Sequence, residues 1–215
     1  MKNSNVSLLN KKSSLQKSPS VERNKDAILH VLKQYNPSEG RLLEVGSGTA
    51  EHAVYLAPHF TNLQWVTSDQ IENHSMIKEF LKERKLQNVH GPEVLKIGED
   101  DFPKGEFQYV FTANTLHIMS WKEVKSFLKL LGKRLREGAV VFIYGPFNYD
   151  QKFTSKSNEQ FDKWLKERNP KSGIRHYEDV ERLLSKSGFK LLKDHEMPAN
   201  NRVLVFERLM YQGEQ

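Results

Sequence analysis

The stretch LLEVGSGTAEHA, residues 42–53, combines residue types that let a backbone approach a ligand closely. An apolar run ends at an acidic residue, Glu44, and two glycines, Gly46 and Gly48, follow with Ser47 between them. Glycine adopts positive φ without steric cost, and the start of the helix that follows offers unpaired N–H groups. This turn therefore predicts a binding site for a nucleotide-like ligand.

A second acidic residue, Asp69, ends the next apolar run, where a carboxylate can accept hydrogen bonds from both hydroxyls of a ribose. A dinucleotide would place its pyrophosphate at the helix start, but Glu51 occupies the third glycine position of the G-x-G-x-x-G pattern and repels phosphate. We therefore expect S-adenosylmethionine, which carries no phosphate, rather than NAD. Glu44 would help to orient its ammonium and sulfonium groups. The alternative is a purely structural strand–helix turn, with Asp69 as a helix cap.

Helical and strand patterns alternate along the chain, and together they must position this turn. The predicted strands cover residues 41–46, 63–69, 93–97, 107–113, 139–145, 189–197 and 202–210, and the predicted helices cover 28–35, 50–57, 71–86, 121–136, 157–167 and 177–187. This order predicts an α/β fold with a Rossmann-like, doubly wound, seven-stranded sheet and a C-terminal antiparallel hairpin. The ligand crevice of such a fold lies at the carboxyl ends of the first strands, where the glycine turn is.

The composition favours one cytoplasmic domain. A chain of 215 residues with 37% hydrophobic content can bury one good-sized core. No apolar run is long enough to span a bilayer, and the N-terminus does not resemble a signal peptide. The absence of cysteine excludes disulfides, thiolate metal sites and cysteine nucleophiles. The eight histidines are scattered without metal-ligand spacing, so we predict no metal.

The net charge of +6 is distributed unevenly. Residues 1–17 contain four lysines and no acid, so residues 18–215 carry a net charge of +2. This composition predicts a disordered basic leader over 1–17 and a single domain over 18–215, although a nucleic-acid-binding arm is the alternative for the leader. Because the body is nearly balanced in charge, we expect neither a nucleic-acid partner nor a membrane partner. The oligomeric state is left open.

Seven segments carry a more specific signal: SPSVERN, LLEVGSGTAEHA, LQWVTSD, NTLHIMSW, YGPF, TSKSNEQFD and MPANN…LVF. Through them the chain resembles the class I S-adenosylmethionine-dependent methyltransferases from about Ser18 to Phe206. More narrowly, it resembles the DUF938 (UPF0585) family, which includes methyltransferase-like protein 26. The resemblance implies a methyltransferase fold, methyl transfer and S-adenosylmethionine as the cofactor.

The resemblance also implies residue roles. The methionine and ribose part of the cofactor would lie against Glu44, Gly46, Ser47 and Gly48. Asp69 would bind the ribose diol, Gln70 would flank the adenine, and Asn114 would approach the methionine amino group. Lys96 stands where many of these enzymes have an aspartate for the adenine amino group, so the adenine contact is unassigned.

The remaining motifs suggest an acceptor site. His117 is the candidate general base, because the loop after the fourth strand faces the transferred methyl in this fold; the alternative is a histidine that holds the loop. The aromatic candidates for the pocket wall are Trp121, Tyr144 and Phe147, although Trp121 and the two strand-end residues could equally belong to the core.

Amide side chains form the second group of acceptor candidates, and each also has a structural interpretation as a turn former or helix cap. These amides are Asn158, Asn200 and Asn201. The segment SVERN precedes the first predicted helix and is expected to fold over the cofactor. There Arg23 could pair with the methionine carboxylate and Asn24 could bind the acceptor; the alternative is a solvated helix start.

We therefore expect an S-adenosylmethionine-dependent methyltransferase that acts on oxygen, nitrogen or sulfur of a polar small molecule. One alternative is an RNA or protein methyltransferase that docks through the basic leader. Another is a protein that binds S-adenosylmethionine without catalysis.

Overall fold

The computed structural model describes residues 18–210. The α-helices are α1 (Pro19–Gln34), α2 (Glu51–Leu56), α3 (His74–Arg84), α4 (Trp121–Arg134), α5 (Lys156–Arg168) and α6 (Tyr177–Lys186). The strands are β1 (Gly40–Val45), β2 (Leu63–Asp69), β3 (Val89–Val94), β4 (Tyr109–Ala113), β5 (Val140–Gly145), β6 (Phe147–Asn148), β7 (Arg175–His176), β8 (Phe189–Met197) and β9 (Asn201–Arg208). Short 3₁₀ turns follow α2, β2 and β8.

The main sheet has seven strands in the order β3-β2-β1-β4-β5-β9-β8. The first five strands of the chain pair in parallel, and β9 runs antiparallel between β5 and β8. The predicted doubly wound α/β fold and its C-terminal antiparallel hairpin are therefore confirmed. The chain winds in opposite directions from β1 and from β4, so the loops after these two strands border one crevice.

Helices cover both faces of the sheet, which explains why the central strands are apolar almost throughout. Successive residues of a strand point to opposite faces. Leu42 and Phe142 pack in the core beneath α1 and α2, whereas Leu43 and Ile143 pack in the core beneath α4 and α6. All four side chains are fully buried. On β1, Glu44 shares the face of Leu42, so this acid points toward the helices that flank the glycine turn.

The third strand differs from its prediction. We predict a strand over 93–97 from its apolar residues, but β3 is Val89–Val94, and Leu95 and Ile97 are buried after the strand has ended. β3 pairs with β2 alone and lies at the edge of the sheet. An edge strand tolerates polar residues and a proline such as Pro92, so its sequence lacks the apolar signal of the central strands.

The first helix begins earlier than its prediction. The segment SVERN, residues 20–24, lies inside α1 and does not precede it. Pro19 occupies the first turn of this helix, where a missing N–H costs nothing and the fixed φ favours helix. The short parallel pair of β6 and β7, in which Phe147 is opposite Arg175, is also absent from the sequence prediction.

Within residues 18–210, no helix combines the length and apolarity needed to cross a lipid bilayer. In the same residues, no three histidine or acidic side chains are grouped so that they could hold a metal ion. The predicted disordered leader lies outside the described residues. The division at residue 18 and the cytoplasmic location stay predictions.

Candidate functional site

The turn after β1 depends on two glycines in the left-handed region, Gly46 with φ 73° and Gly48 with φ 56°. The N–H groups of Gly46 and Ser47 both donate to the carbonyl oxygen of Ser68, at 3.0 Å each. A Cβ atom on Gly46 would collide with Cγ2 of Thr115, whereas a Cβ atom on Gly48 would meet nothing within 4 Å. The turn is therefore packed on one side and open beside Gly48.

Asp69 and the glycine turn meet directly, as their positions at the ends of neighbouring strands predict. Oδ2 of Asp69 accepts the N–H of Gly48 at 2.7 Å. Oδ1 accepts the N–H of Gln70 at 2.8 Å and a side-chain N–H of Asn73 at 2.7 Å. Since a carboxylate offers about four acceptor positions, these three donors fix its orientation and leave room for one further donor.

Glu44 lies beneath this turn and is buried, with 2% of its surface exposed. Its Oε2 accepts the indole N–H of Trp65 on β2 at 2.9 Å. Burial raises the pKa of Glu44 from 4.5 to about 7, and the neighbouring Asp69 carboxylate acts in the same direction. Glu44 therefore changes its charge near neutral pH, beneath the glycine turn.

Glu51 holds the start of α1 against the start of α2. Its two carboxylate oxygens accept the N–H of Ser18 at 3.0 and 2.9 Å, and Oε2 also accepts the hydroxyl of Thr49 at 2.7 Å. The acid at the third position of the glycine pattern thus has a structural role as well as a charge. It joins the two helices that cover this face of the sheet.

A cavity of about 700 Å³ opens at the carboxyl ends of β4 and β5. Seven of the predicted site residues line it: Arg23, Asn24, Asn114, His117, Tyr144, Asn158 and Asn201. They come from α1, the loop after β4, the end of β5, α5 and the first residue of β9. Residues that are distant in the sequence therefore converge on one polar wall.

An aromatic wall on α5 completes the cavity, and the sequence analysis missed it. Phe161 lies edge-on to His117 with ring centroids 5.3 Å apart, and it stacks on Trp164 at 5.7 Å. The guanidinium of Arg168 covers Trp164 at 3.8 Å from the ring centroid. Phe161 and Trp164 are three residues apart, a spacing that also fits an ordinary core-facing helix, so the sequence does not reveal this wall. The structure reveals it because the Trp164 side chain is 43% exposed.

His117 is 4% exposed and lines this cavity. Its ring lies against the end of β5, since a Cβ atom on Gly145 would be 3.7 Å from Nδ1. Burial lowers the pKa of His117 from 6.5 to about 4, and the positive charge of Arg175 contributes to this effect. His117 is therefore neutral at pH 7 and able to accept a proton.

A buried polar chain connects α2 to the cavity. His52 Nε2–H donates to Oδ1 of Asn24 at 2.9 Å, and burial lowers the pKa of His52 to about 4. The Asn24 side chain interacts in turn with the hydroxyl of Tyr144 and favours its ionised form, although burial raises the pKa of Tyr144. Asn24 is 3% exposed, so its amide is fixed between the two partners.

Three residues expected at the acceptor pocket lie outside the cavity lining. Phe147 is 1% exposed and belongs to the core beneath α4 and α6. Trp121 packs against the same core at the start of α4, 5.9 Å from the guanidinium of Arg175. Asn200 is exposed, and its backbone carbonyl accepts the side-chain N–H of Asn158 at 3.2 Å. The first two are structural because the strand and helix ends where they lie continue the core.

The family model described as "Protein of unknown function (DUF938)" matches residues 15–208. Among solved structures, the fold resembles the S-adenosylmethionine-dependent methyltransferase SibL in its apo form, with a TM-score of 0.74 and 22% identity over 89% of this chain and 56% of that one. It also resembles an O-methyltransferase family 2 protein from Planctomyces limnophilus in complex with apigenin, with a TM-score of 0.71 and 12% identity over 86% of this chain and 62% of that one.

A third similar structure is the mitomycin 7-O-methyltransferase MmcR, with a TM-score of 0.71 and 15% identity over 85% of this chain and 54% of that one. The chain thus spans little more than half the length of these proteins. At these identities the similarity establishes the class I methyltransferase fold. The family match extends over nearly the whole chain and includes the glycine turn, Asp69 and the cavity residues. The chain therefore belongs to the DUF938 family.

Proposed function

We propose that this protein is a methyltransferase that uses S-adenosylmethionine to methylate a polar small molecule. One observation carries the proposal: the glycine turn and the cavity share a loop. Thr115 contacts Gly46, and its near neighbours Asn114 and His117 line the cavity. A cofactor on the turn and an acceptor in the cavity would therefore meet beside His117.

The residues around the turn fit the cofactor. The open space beside Gly48 admits a ligand, and Asp69 has acceptor capacity left for a ribose hydroxyl. Gln70 is exposed next to Asp69, on the side proposed for the adenine. S-adenosylmethionine would supply a methyl group on a sulfonium, which departs as a neutral thioether. An ionised Glu44 would favour the positive charges of this ligand.

The methionine part is assigned to the other side of the turn. We place Ser47 beside it, with Asn114 near its amino group and Arg23 near its carboxylate. Asn114 is held in the left-handed region, with φ 59°, and its N–H donates to the carbonyl of Tyr144 at 2.9 Å. Such a conformation at a strand end is typical of residues that a site requires in one orientation.

NAD fits this turn poorly. A pyrophosphate at the start of α2 would lie next to the carboxylate of Glu51, which Ser18 and Thr49 hold in place. α2 is six residues long, so its dipole offers little compensation. These features favour a ligand that presents ribose and positive charge over one that presents phosphate.

The cavity walls indicate the chemistry of the acceptor. Among the described residues that line the cavity, Arg23 is the one with a permanent charge, and none is a carboxylate. The polar groups are mainly amides, and Phe161 and Trp164 offer flat apolar surface. A neutral or anionic molecule with a planar portion suits these walls better than a cation. We propose that Asn24, Tyr144, Asn158 and Asn201 orient it.

His117 is proposed as the general base. A neutral imidazole that is almost fully buried can take the proton from a hydroxyl, thiol or amine as that atom becomes a nucleophile. Because its pKa is about 4, His117 is a weak base, so it suits an acceptor that is already acidic, such as a phenol. The remaining residues act by holding the acceptor in line and excluding water.

Methyl transfer is tested by measuring release of S-adenosylhomocysteine with a panel of phenols, carboxylic acids, thiols and amines. We expect turnover with at least one planar neutral or anionic acceptor, and a loss of about 100-fold in kcat for His117→Gln with unchanged cofactor affinity. His30→Gln, an exposed change on α1, is the matched control. Tight cofactor binding with no turnover on the entire panel would instead support a non-catalytic binding protein.

A further inference from the structure

The loop that carries His117 is held by a second segment, residues 172–175. Four consecutive carbonyl oxygens of the loop accept hydrogen bonds from it. Arg175 Nε donates to Leu116 O at 3.0 Å, the Gly173 N–H to His117 O at 2.9 Å and Ser172 Oγ to Ile118 O at 2.7 Å. Arg175 Nη2 donates to Met119 O as well as to Lys171 O.

This arrangement goes beyond ordinary loop packing. Leu116 and His117 are buried, so their carbonyl groups need protein partners. All four bonds come from one neighbouring segment, which restricts the loop strongly. Arg175 supplies two of the four bonds from one planar guanidinium, which spans the loop from Leu116 to Met119. The planar guanidinium of arginine carries several N–H donors in a fixed geometry and can bond to both carbonyl groups at once, whereas a lysine ammonium is a compact point charge without this geometry.

The holding segment is itself anchored to α5. Asp162 is 3% exposed; its Oδ1 accepts the N–H of Ile174 at 2.8 Å, and its Oδ2 pairs with Lys166 at 2.6 Å. The far end of the loop is fixed by a capping box, in which Ser120 and Glu123 bond to each other's backbone N–H. α5, which bears the aromatic wall, and α4 therefore both determine where the loop lies.

We infer that Arg175 is a positioning residue for His117: it fixes the backbone of the His117 loop and places a permanent positive charge behind the imidazole. The inference rests on the proposed function in one respect, since it gives His117 a reason to be held. Its structural content is independent of the acceptor. Arg175 lies outside the cavity lining and acts on the reaction through His117.

The charge of Arg175 has a defined chemical effect. Arg175 is the charged group that acts on His117 from the holding segment, and its own charge interacts with Asp162 on α5 and Glu123 on α4. Arg23 and Tyr144 line the same cavity as His117. Arg23 is exposed and screened by solvent, whereas Arg175 is half-buried. A cation in this place opposes protonation of the imidazole, so His117 stays neutral and available as an acceptor.

The test is a pH titration of histidine resonances by NMR in the full-length protein without ligand, with His117→Gln to assign the His117 signal. In Arg175→Gln we expect the pKa of His117 to rise from about 4 towards its usual value, because burial still lowers it but the opposing positive charge is gone. We also expect faster hydrogen exchange of the Gly173 amide, which donates to His117 O. Arg175→Lys keeps the positive charge but loses the two guanidinium hydrogen bonds to the loop. In this variant the pKa of His117 should therefore stay low, while hydrogen exchange of the Gly173 amide should still accelerate.

Arg182→Gln is the matched control, because Arg182 pairs with Asp179 on the exposed side of α6. A His117 pKa and a Gly173 exchange rate in Arg175→Gln equal to those of Arg182→Gln would overturn the inference. If Arg175→Gln does not fold, Arg175→Lys decides: unchanged Gly173 exchange in that variant also overturns it. Neither measurement needs methyl transfer, so failure of the proposed function would appear in the turnover assay alone.

Discussion

Replacing Glu44 by glutamine isolates what the ionisation of one buried acid contributes to the free energy of unfolding. Glu44 is 2% exposed, and its pKa rises from 4.5 to about 7 on folding because burial disfavours the carboxylate. Each tenfold change in proton affinity is worth about 1.4 kcal/mol, so this difference corresponds to about 3 kcal/mol. Glutamine keeps an oxygen that can accept the indole N–H of Trp65, and it removes the titration.

Whether stability rises or falls with pH follows from the direction in which folding changes the pKa of Glu44. A folded-state pKa above the unfolded value gives stability that is complete below pH 4.5 and is lost as the pH rises through about 7. Between pH 4.5 and pH 8, the free energy of unfolding of the wild type should therefore fall by about 3 kcal/mol relative to that of Glu44→Gln. The contributions of His52 and His117 are common to both proteins and cancel.

Urea unfolding followed by circular dichroism at the two pH values measures this double difference. Glu79→Gln changes an exposed acid on α3 and serves as the control, for which we expect no comparable dependence on pH. A difference between wild type and Glu44→Gln that stays constant from pH 4.5 to pH 8 would show that the environment of Glu44 has been misjudged.

Three further predictions follow from the same site. The affinity for S-adenosylmethionine should rise between pH 6 and pH 8 in the wild type as Glu44 ionises, and calorimetry should find this dependence abolished in Glu44→Gln. Gly46→Ala should lower the thermal midpoint more than Gly48→Ala, because both residues have positive φ but only the Cβ at position 46 collides with Thr115. Deletion of residues 1–17 should leave cofactor affinity and turnover unchanged; loss of activity or of salt-dependent RNA binding would instead support RNA or protein as the acceptor.

The sequence predicts the central part of the fold well, for a physical reason. Strands buried on both faces leave continuous apolar runs: β2 over Leu63–Asp69 has the bounds that its run predicts, and β5 over Val140–Gly145 begins one residue later than predicted. β8 over Phe189–Met197 also has its predicted bounds, although it is an edge strand. The third strand is predicted over 93–97 but lies at Val89–Val94, because an edge strand has one neighbour and needs few apolar residues. The apolar residues Leu95 and Ile97, which suggest the later position, are buried after the strand has ended.

The residues of the candidate site also differ in how well the sequence predicts them. The glycine turn and Asp69 are recognisable because their roles require particular residue types at strand ends. Phe161 and Arg175 are not, since an aromatic residue on a helix and an arginine before one are compatible with many positions in a fold. Their importance appears when α5 and residues 172–175 are seen beside the His117 loop.

Calorimetric titration with S-adenosylmethionine, S-adenosylhomocysteine and NAD, on the wild type and on Asp69→Ala, tests whether the glycine turn is a cofactor site. We predict micromolar binding of both adenosyl ligands to the wild type, a loss of at least tenfold in affinity in Asp69→Ala and no binding of NAD. Asp26→Ala, which alters an acid on the exposed side of α1, should bind like the wild type. A folded wild-type protein that binds neither adenosyl ligand would contradict the account, because the turn of Gly46 and Gly48 would then be a structural connection and no cofactor site.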